Sequence, residues 1–196
     1  MPIRRPNRTG RSASGSPRKR FLSTQELDAV ASEIARSAKK HGVTVAALGG
    51  YAMQAYGSDR FTVDLDVVAD SMLPLPPGEP LTFGGHATHS SPSGLPVDVI
   101  LRDDAMANLY DEALASAKRI PGIPIRVVRP EHLVAMKMEA GREKDDLDLG
   151  YLLLMLDEKG YTAARKVVVK HLGYYAGKEL DARLAEAQWK RSRGLK

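Results

Sequence analysis

The chain has 196 residues, 43% hydrophobic and 27% charged; this composition supports one substantial core, leaves room for two small subdomains and excludes a fully disordered chain. It contains no cysteine, which excludes disulfides, thiolate zinc sites and cysteine nucleophiles. The net charge of +5 is unevenly spread: residues 1–20 carry seven Lys/Arg and residues 189–196 carry four, both without an acid, while between them 18 basic residues meet 24 acidic ones, a balance of −6.

Basic ends on an acidic body suit either plain solvation or contact with a polyanion such as nucleic acid. Residues 1–20 are rich in Arg, Ser, Gly and Pro, and too poor in apolar side chains to join a core, so a flexible basic arm is expected. The arm lacks the apolar stretch of a secretory signal. No run in the chain approaches the roughly 20 apolar residues that span a bilayer. A cytoplasmic location without a membrane partner is therefore expected. The remaining divisions are a core over 21–129, a helical subdomain over 130–190 and a basic tail over 191–196.

Ser23 and Glu26 have the spacing of a capping box, and Leu27, Val30, Ile34 and Ala38 then recur at helical spacing until Gly42. Val43 to Leu48 reads as a strand ending in Gly49-Gly50, followed by a short helix from Tyr51 to Tyr56. From Arg60 to Asp70 the residues alternate, placing Phe61, Val63, Leu65 and Val67 on one strand face and Thr62, Asp64, Asp66 and Val68 on the other. Residues 71–96 are crowded with Pro, Gly and Ser and predict loops around one edge strand at Leu81 to Phe83. Leu95 to Leu101 predicts a strand around Asp98, Asp103 a cap for a helix reaching Lys118, and Ile123 to Val128 a further strand. Pro130 opens a helix, and 145–158, 161–171 and 178–190 all read as helical. The expected fold class is α+β: a small mixed β-sheet with flanking helices, followed by a helical C-terminal portion.

Residues two apart on a strand point the same way with Cα atoms roughly 6.5 to 7 Å apart, so Asp64 and Asp66 converge, and Asp98 can join them from its own strand. Three clustered carboxylates repel one another. A hard cation such as Mg2+ or Mn2+ removes that repulsion and also binds triphosphate oxygens. A glycine turn before a helix offers backbone N–H groups to phosphate, although Gly49-Gly50 alone equally describes an ordinary strand-to-helix turn.

Asp145 and Asp148 fall beside the apolar stripe of Leu149, Leu152, Leu153 and Leu156, where carboxylates need partners. Arg142, Lys144 and Lys137 are near enough to supply them, either as a charge network beside a nucleotide or as a structural interhelical bridge. His86 and His89 lie in the loop-rich segment without a third ligand and are given no metal role. His132 reads as a first-turn helix residue, Asp103-Asp104 as acids favoured at a helix start. Tyr174, Tyr175 and Trp189 read as core residues, with base stacking as the alternative.

The run Gly49-Gly50-Tyr51-Ala52, Tyr56-Gly57, Arg60-Phe61-Thr62 and Asp64-Leu65-Asp66 resembles the nucleotidyltransferase superfamily of DNA polymerase beta-like folds, in particular the bacterial branch of AbiEii-type toxins of toxin-antitoxin systems. A second block, Pro130-Glu131-His132-Leu133, Lys137, Ala140-Gly141-Arg142, Lys144-Asp145 and Asp148-Leu149, is similar to that family's helical motif downstream of the sheet. The resemblance covers about residues 22–158.

It implies a transferase that uses an NTP as substrate. Gly49, Gly50 and Arg60 would face the nucleotide, Asp64, Asp66 and Asp98 would hold Mg2+ or Mn2+, and Lys137 would meet the triphosphate. Asp98 would also help activate the acceptor. Where the superfamily often has Gly-Ser this chain has Gly49-Gly50, so phosphate binding would rest on backbone groups. The resemblance further implies tRNA or another RNA as acceptor and a cognate antitoxin as partner. Two other classes stay open: a nucleotide- or nucleic-acid-binding module without turnover, and an enzyme that modifies a small molecule such as an antibiotic.

Overall fold

A computed structural model describes residues 20–90 and 93–195, so the basic arm predicted over 1–20 lies outside the described residues except for Arg20. The first helix, α1 (Thr24–His41), starts where the sequence says it does. Ser23 Oγ accepts the Glu26 N–H, and the Glu26 carboxylate accepts the Ser23 N–H at 2.9 Å. Gly42 ends the helix in the left-handed conformation, φ 70°, which a side chain would disfavour. Leu27, Val30, Ile34 and Ala38 form the buried stripe.

The following elements are β1 (Val45–Ala47), α2 (Gly49–Ala55), β2 (Leu65–Ala69), β3 (Glu79–Pro80), β4 (Gly85–His89) and β5 (Pro96–Ile100). The strands make one sheet in the order β1-β2-β5-β4-β3. Only β2 and β5 run parallel, the other neighbours being antiparallel. Helices α3 (Ala107–Ser116), α4 (Pro130–Ala140), α5 (Glu143–Met155), α6 (Glu158–Leu172) and α7 (Tyr174–Ser192) complete the fold. The α+β class with a small mixed sheet and a helical C-terminal portion is the one the sequence predicts. No helix among the described residues is long and apolar enough to cross a membrane.

Strand alternation divides the interior in two. Leu65, Val67, Val97 and Val99 pack with Leu27, Val30 and Ile34 of α1. On the opposite face Val68 and Ile100 join Leu109, Leu133, Val168 and Leu180 from four of the later helices.

Several local expectations are corrected. The strand predicted over Arg60 to Asp70 begins only at Leu65, and Phe61 stands at the surface. Leu81 to Phe83 is not a strand but the turn between β3 and β4, closed by the Leu81 N–H on the Gly85 carbonyl at 2.9 Å. The hairpin escaped notice because the side chains that β4 buries are His86 and Thr88, which leave no apolar alternation to read. Ile123 to Val128 forms only single bridges, from Val127 to Ala47 and to Lys118. Pro124 interrupts any ladder there, and the Arg126 guanidinium pins the irregular segment on the carbonyls of Leu114, Ala115 and Ala117. The helix predicted from Asp103 to Lys118 is shorter at both ends, since Asp104 turns back to the Met106 N–H at 2.9 Å. Tyr174, Tyr175 and Trp189 are exposed rather than core residues.

Candidate active site

Because β2 turns Leu65 and Val67 toward α1 and β5 does the same with Val97 and Val99, Asp66 and Asp98 both face the opposite side. The parallel register pairs them directly, Asp66 with Asp98, on strands about 4.8 Å apart. Asp64, two residues earlier, is oriented by the Thr62 hydroxyl, which lies 3.1 Å from its Oδ1.

The glycine pair explains how the acids fit. Gly49 has φ +61°, and a Cβ there would fall 1.8 Å from Asp66 Oδ2. A Cβ on Gly50 would fall 2.6 Å from the Thr62 Cβ. One glycine makes room for Asp66 and the other for the threonine that orients Asp64. The N–H groups of the first turn of α2, which lack acceptors within their own helix, begin at the same bend. Gly49→Ala is expected to displace the Asp66 carboxylate and to cost about 1 to 2 kcal/mol from the left-handed backbone alone. Urea denaturation and Mn2+ titration of the variant check both effects.

The electrostatics are those of a crowded anionic point. Burial, together with the charges of Asp64 and Asp98, raises the Asp66 carboxyl to about 7, with Lys137 and Lys144 pulling the other way. Arg142 and Tyr110 also feel the Asp66 charge. Lys144, exposed in the first turn of α5, is a site cation that the sequence placed only in the charge network. Its position in the second motif block was the available signal.

Lys137 is buried and engaged: its Nζ donates to Asp145 Oδ1 at 2.7 Å and to Asp148 Oδ2 at 2.5 Å. Arg60 donates to the same Asp148, and Arg142 Nε donates to Asp145 Oδ2 at 2.6 Å. Burial pushes the Asp145 carboxyl up, but the hydrogen bonds from Arg142 and Lys137 outweigh it and hold the group below its ordinary range. The network expected beside the apolar stripe is therefore present, and Asp145 and Asp148 are both buried in it. Arg60 and Lys137, expected at the nucleotide, share one carboxylate, that of Asp148.

With the side chains as they stand, no three His, Asp or Glu residues among those described form a group that could hold a metal ion. The register brings Asp66 and Asp98 together, and Asp64 acts on Asp66 through its charge. Their chemistry nevertheless suits a hard divalent cation: the donors are all oxygen, and Asp66 is held beside like charges that a cation would relieve.

No protein-family model and no curated protein matches the chain. Among solved structures it is similar to an antigenic nucleotidyltransferase-like protein from Paracoccidioides brasiliensis, at 18% identity over 85% of this chain and 95% of that one, with a TM-score of 0.47. It is also similar to the antibiotic-resistance factor ANT(2'')-Ia, at 14% identity over 88% and 98% of the two chains, with a TM-score of 0.43. At these scores neither likeness carries weight by itself, and the function proposed next rests on the chain's own residues.

Proposed function

We propose that this chain is a metal-dependent nucleotidyltransferase of the polymerase beta-like superfamily that moves a nucleoside monophosphate from an NTP to an acceptor and releases pyrophosphate. The observation that supports it best is the pairing of Asp66 with Asp98 on one sheet face, at a bend whose Gly49 must lack a side chain for Asp66 to fit. Asp64, Asp66 and Asp98 would hold Mg2+ or Mn2+. When bound, the ion supplies the charge that lowers the pKa of the acceptor hydroxyl and neutralises the departing pyrophosphate.

The chain's own groups do the rest. Asp98 stands on the neighbouring strand, where a carboxylate can take the acceptor proton. Lys144 and Arg142 set positive charge against the acids, as a triphosphate lying between them requires. Lys137 contacts phosphate only by exchanging a bond to Asp145 or Asp148. Arg60 supports the same corner through Asp148, and the Gly49-Gly50 backbone borders the phosphates. The acceptor we assign is RNA, with tRNA as the first choice and a toxin countered by an antitoxin as the setting. The cationic ends of the chain favour such a polyanion.

Incubation with labelled NTPs, Mg2+ or Mn2+ and total tRNA tests this reading. Label on RNA with pyrophosphate release is the expected result. NTP binding without pyrophosphate release would indicate a binding module, and label only on small hydroxyl compounds a small-molecule enzyme. Asp64→Asn is expected to abolish transfer while leaving thermal unfolding intact, and full activity in that variant would remove Asp64 from the mechanism.

A further inference from the structure

Each of the two acid-bearing strands has an arginine nearby that ties it to the helices carrying the cations. Arg60, ahead of β2, reaches Asp148 of α5. Arg102, two residues beyond the end of β5, reaches Glu139 in the last turn of α4, with Nη2 3.2 Å from Oε1. The second arginine has no part in the site described above, yet it is the more enclosed: its side chain is 5% exposed, against 23% for Arg60.

The surroundings of Arg102 hold its guanidinium in one place. Nε and Nη2 fork onto the Asp104 carboxylate at 2.9 and 2.7 Å, a bidentate pair that fixes angle as well as distance. Cζ lies 4.7 Å from the ring centroid of Tyr110 and 5.3 Å from that of Phe83, so the cation is also stacked. Phe83 belongs to the β3–β4 turn, which comes so close that a Cβ on Gly84 would fall 2.0 Å from the Leu101 carbonyl oxygen. Burial works against the Arg102 charge, but the bonds to Asp104 and Glu139 outweigh it.

Taking charges out of water is a poor way to gain stability, because apolar side chains of similar volume do as well or better; what a buried ion pair can supply is one defined arrangement. Here the parts arranged are the two sides of the candidate site. Asp98 lies four residues before Arg102, while Glu139 lies two residues after Lys137 and three before Arg142. Tyr110, against the guanidinium, is within electrostatic range of both Asp66 and Arg142.

We propose that Arg102 is a positioning residue: through its bond to Glu139 it sets the separation between the strand that presents Asp98 and the helical corner that presents Arg142 and Lys144, and so the width of the space a triphosphate would occupy. In giving that space a triphosphate, the proposal rests on the nucleotidyltransferase reading above. Misplacing reacting groups by about 1 Å costs up to about a hundredfold in rate, so a slack tie shows in turnover before it shows in folding.

The chain has no cysteine, so Arg36→Cys on α1 and Leu147→Cys on α5, both at exposed positions, accept spin labels at those two sites alone. Since α1 packs on the strands that bear the acids, double electron–electron resonance between the labels, without NTP or metal, reads the separation of the two sides, and the labelled parent shows one narrow distance. Glu139→Ala removes the acceptor and keeps a good helix former. It is expected to broaden the distance, to lower kcat/KM for nucleotidyl transfer about tenfold and to lower the thermal midpoint by no more than about 2 to 4 °C. Glu139→Gln, whose amide oxygen still accepts from Arg102, restores the narrow distance and the turnover. An unchanged distance in Glu139→Ala, or a broadened one with no fall in kcat/KM from a parent that transfers nucleotide, would overturn the assignment. General loss of the fold in Glu139→Ala would mark the cluster as structural and overturn it likewise. A distance that broadens in Glu139→Ala and narrows again in Glu139→Gln, in a chain that transfers no nucleotide, would uphold the tie and overturn the enzymatic reading instead.

Discussion

Asp66→Asn is expected to stabilise the metal-free protein at pH 8 and to abolish nucleotidyl transfer. The Asp66 carboxyl is raised from 3.8 to about 7 by burial and by the charges of Asp64 and Asp98. Between those two values the folded state binds more protons than the unfolded state, so this group's contribution to stability falls as pH rises, and the deficit is complete above pH 7. Asn has similar volume and no charge to repel. After allowance for solvent screening at a half-buried group, the gain at pH 8 is on the order of 2 kcal/mol, and at pH 4 most of it is gone. Urea unfolding at the two pH values measures it. Mn2+ is expected to relieve the same deficit in the wild-type chain and to do so much less in the variant. A variant less stable than wild type at pH 8 would show that Asp66 is satisfied by a structural partner rather than poised for a cation.

Lys137→Met has the largest expected effect in the opposite direction. Methionine fills much of the same volume but leaves Asp145 and Asp148, both buried, without the amine that donates to each of them. Breaking a buried ion pair on one side costs about 3 to 5 kcal/mol. Arg60 and Arg142 still reach the two carboxylates, so about 3 kcal/mol is expected at pH 7. As pH falls the Asp145 carboxylate, left with Arg142 alone, takes up a proton, and the difference from wild type shrinks. Denaturant midpoints at pH 7 and pH 4 check magnitude and sign. Unchanged stability at pH 7 would mean that the Lys137 amine is reserved for phosphate and contributes nothing to the resting fold.

Legibility in the sequence followed the physics of each segment. The first helix was readable because capping box, stripe and terminal glycine are all local, and its ends in the structure are those the residues predict. The spacing of Asp64 and Asp66 put both on one strand face in the sequence, but the strand starts at Leu65, so only Asp66 takes its side from the strand. Asp98 was harder: whether it meets Asp66 depends on the β2–β5 register, and nearly thirty residues of turn-rich chain separate the two strands. Within that stretch β4 hides behind buried His86 and Thr88. The Asp145 and Asp148 network was legible because carboxylates beside an apolar helical stripe demand partners. What no local pattern could supply was the allocation of those partners, which places Arg60, some ninety residues earlier, on Asp148. Tyr174, Tyr175 and Trp189 misled because aromatic character argues for burial where tertiary packing leaves them outside.

Asp66 and Asp98 come from β2 and β5, whereas Lys137 comes from α4 and Arg142 and Lys144 from the start of α5. A nascent chain on the ribosome therefore carries the carboxylates well before it has produced Lys137, Arg142 or Lys144, and a domain folds as a unit. Assembly of this corner is timed by synthesis: it waits until just over three quarters of the polypeptide has been made, when Asp148 can hold Arg60 and Lys137 together.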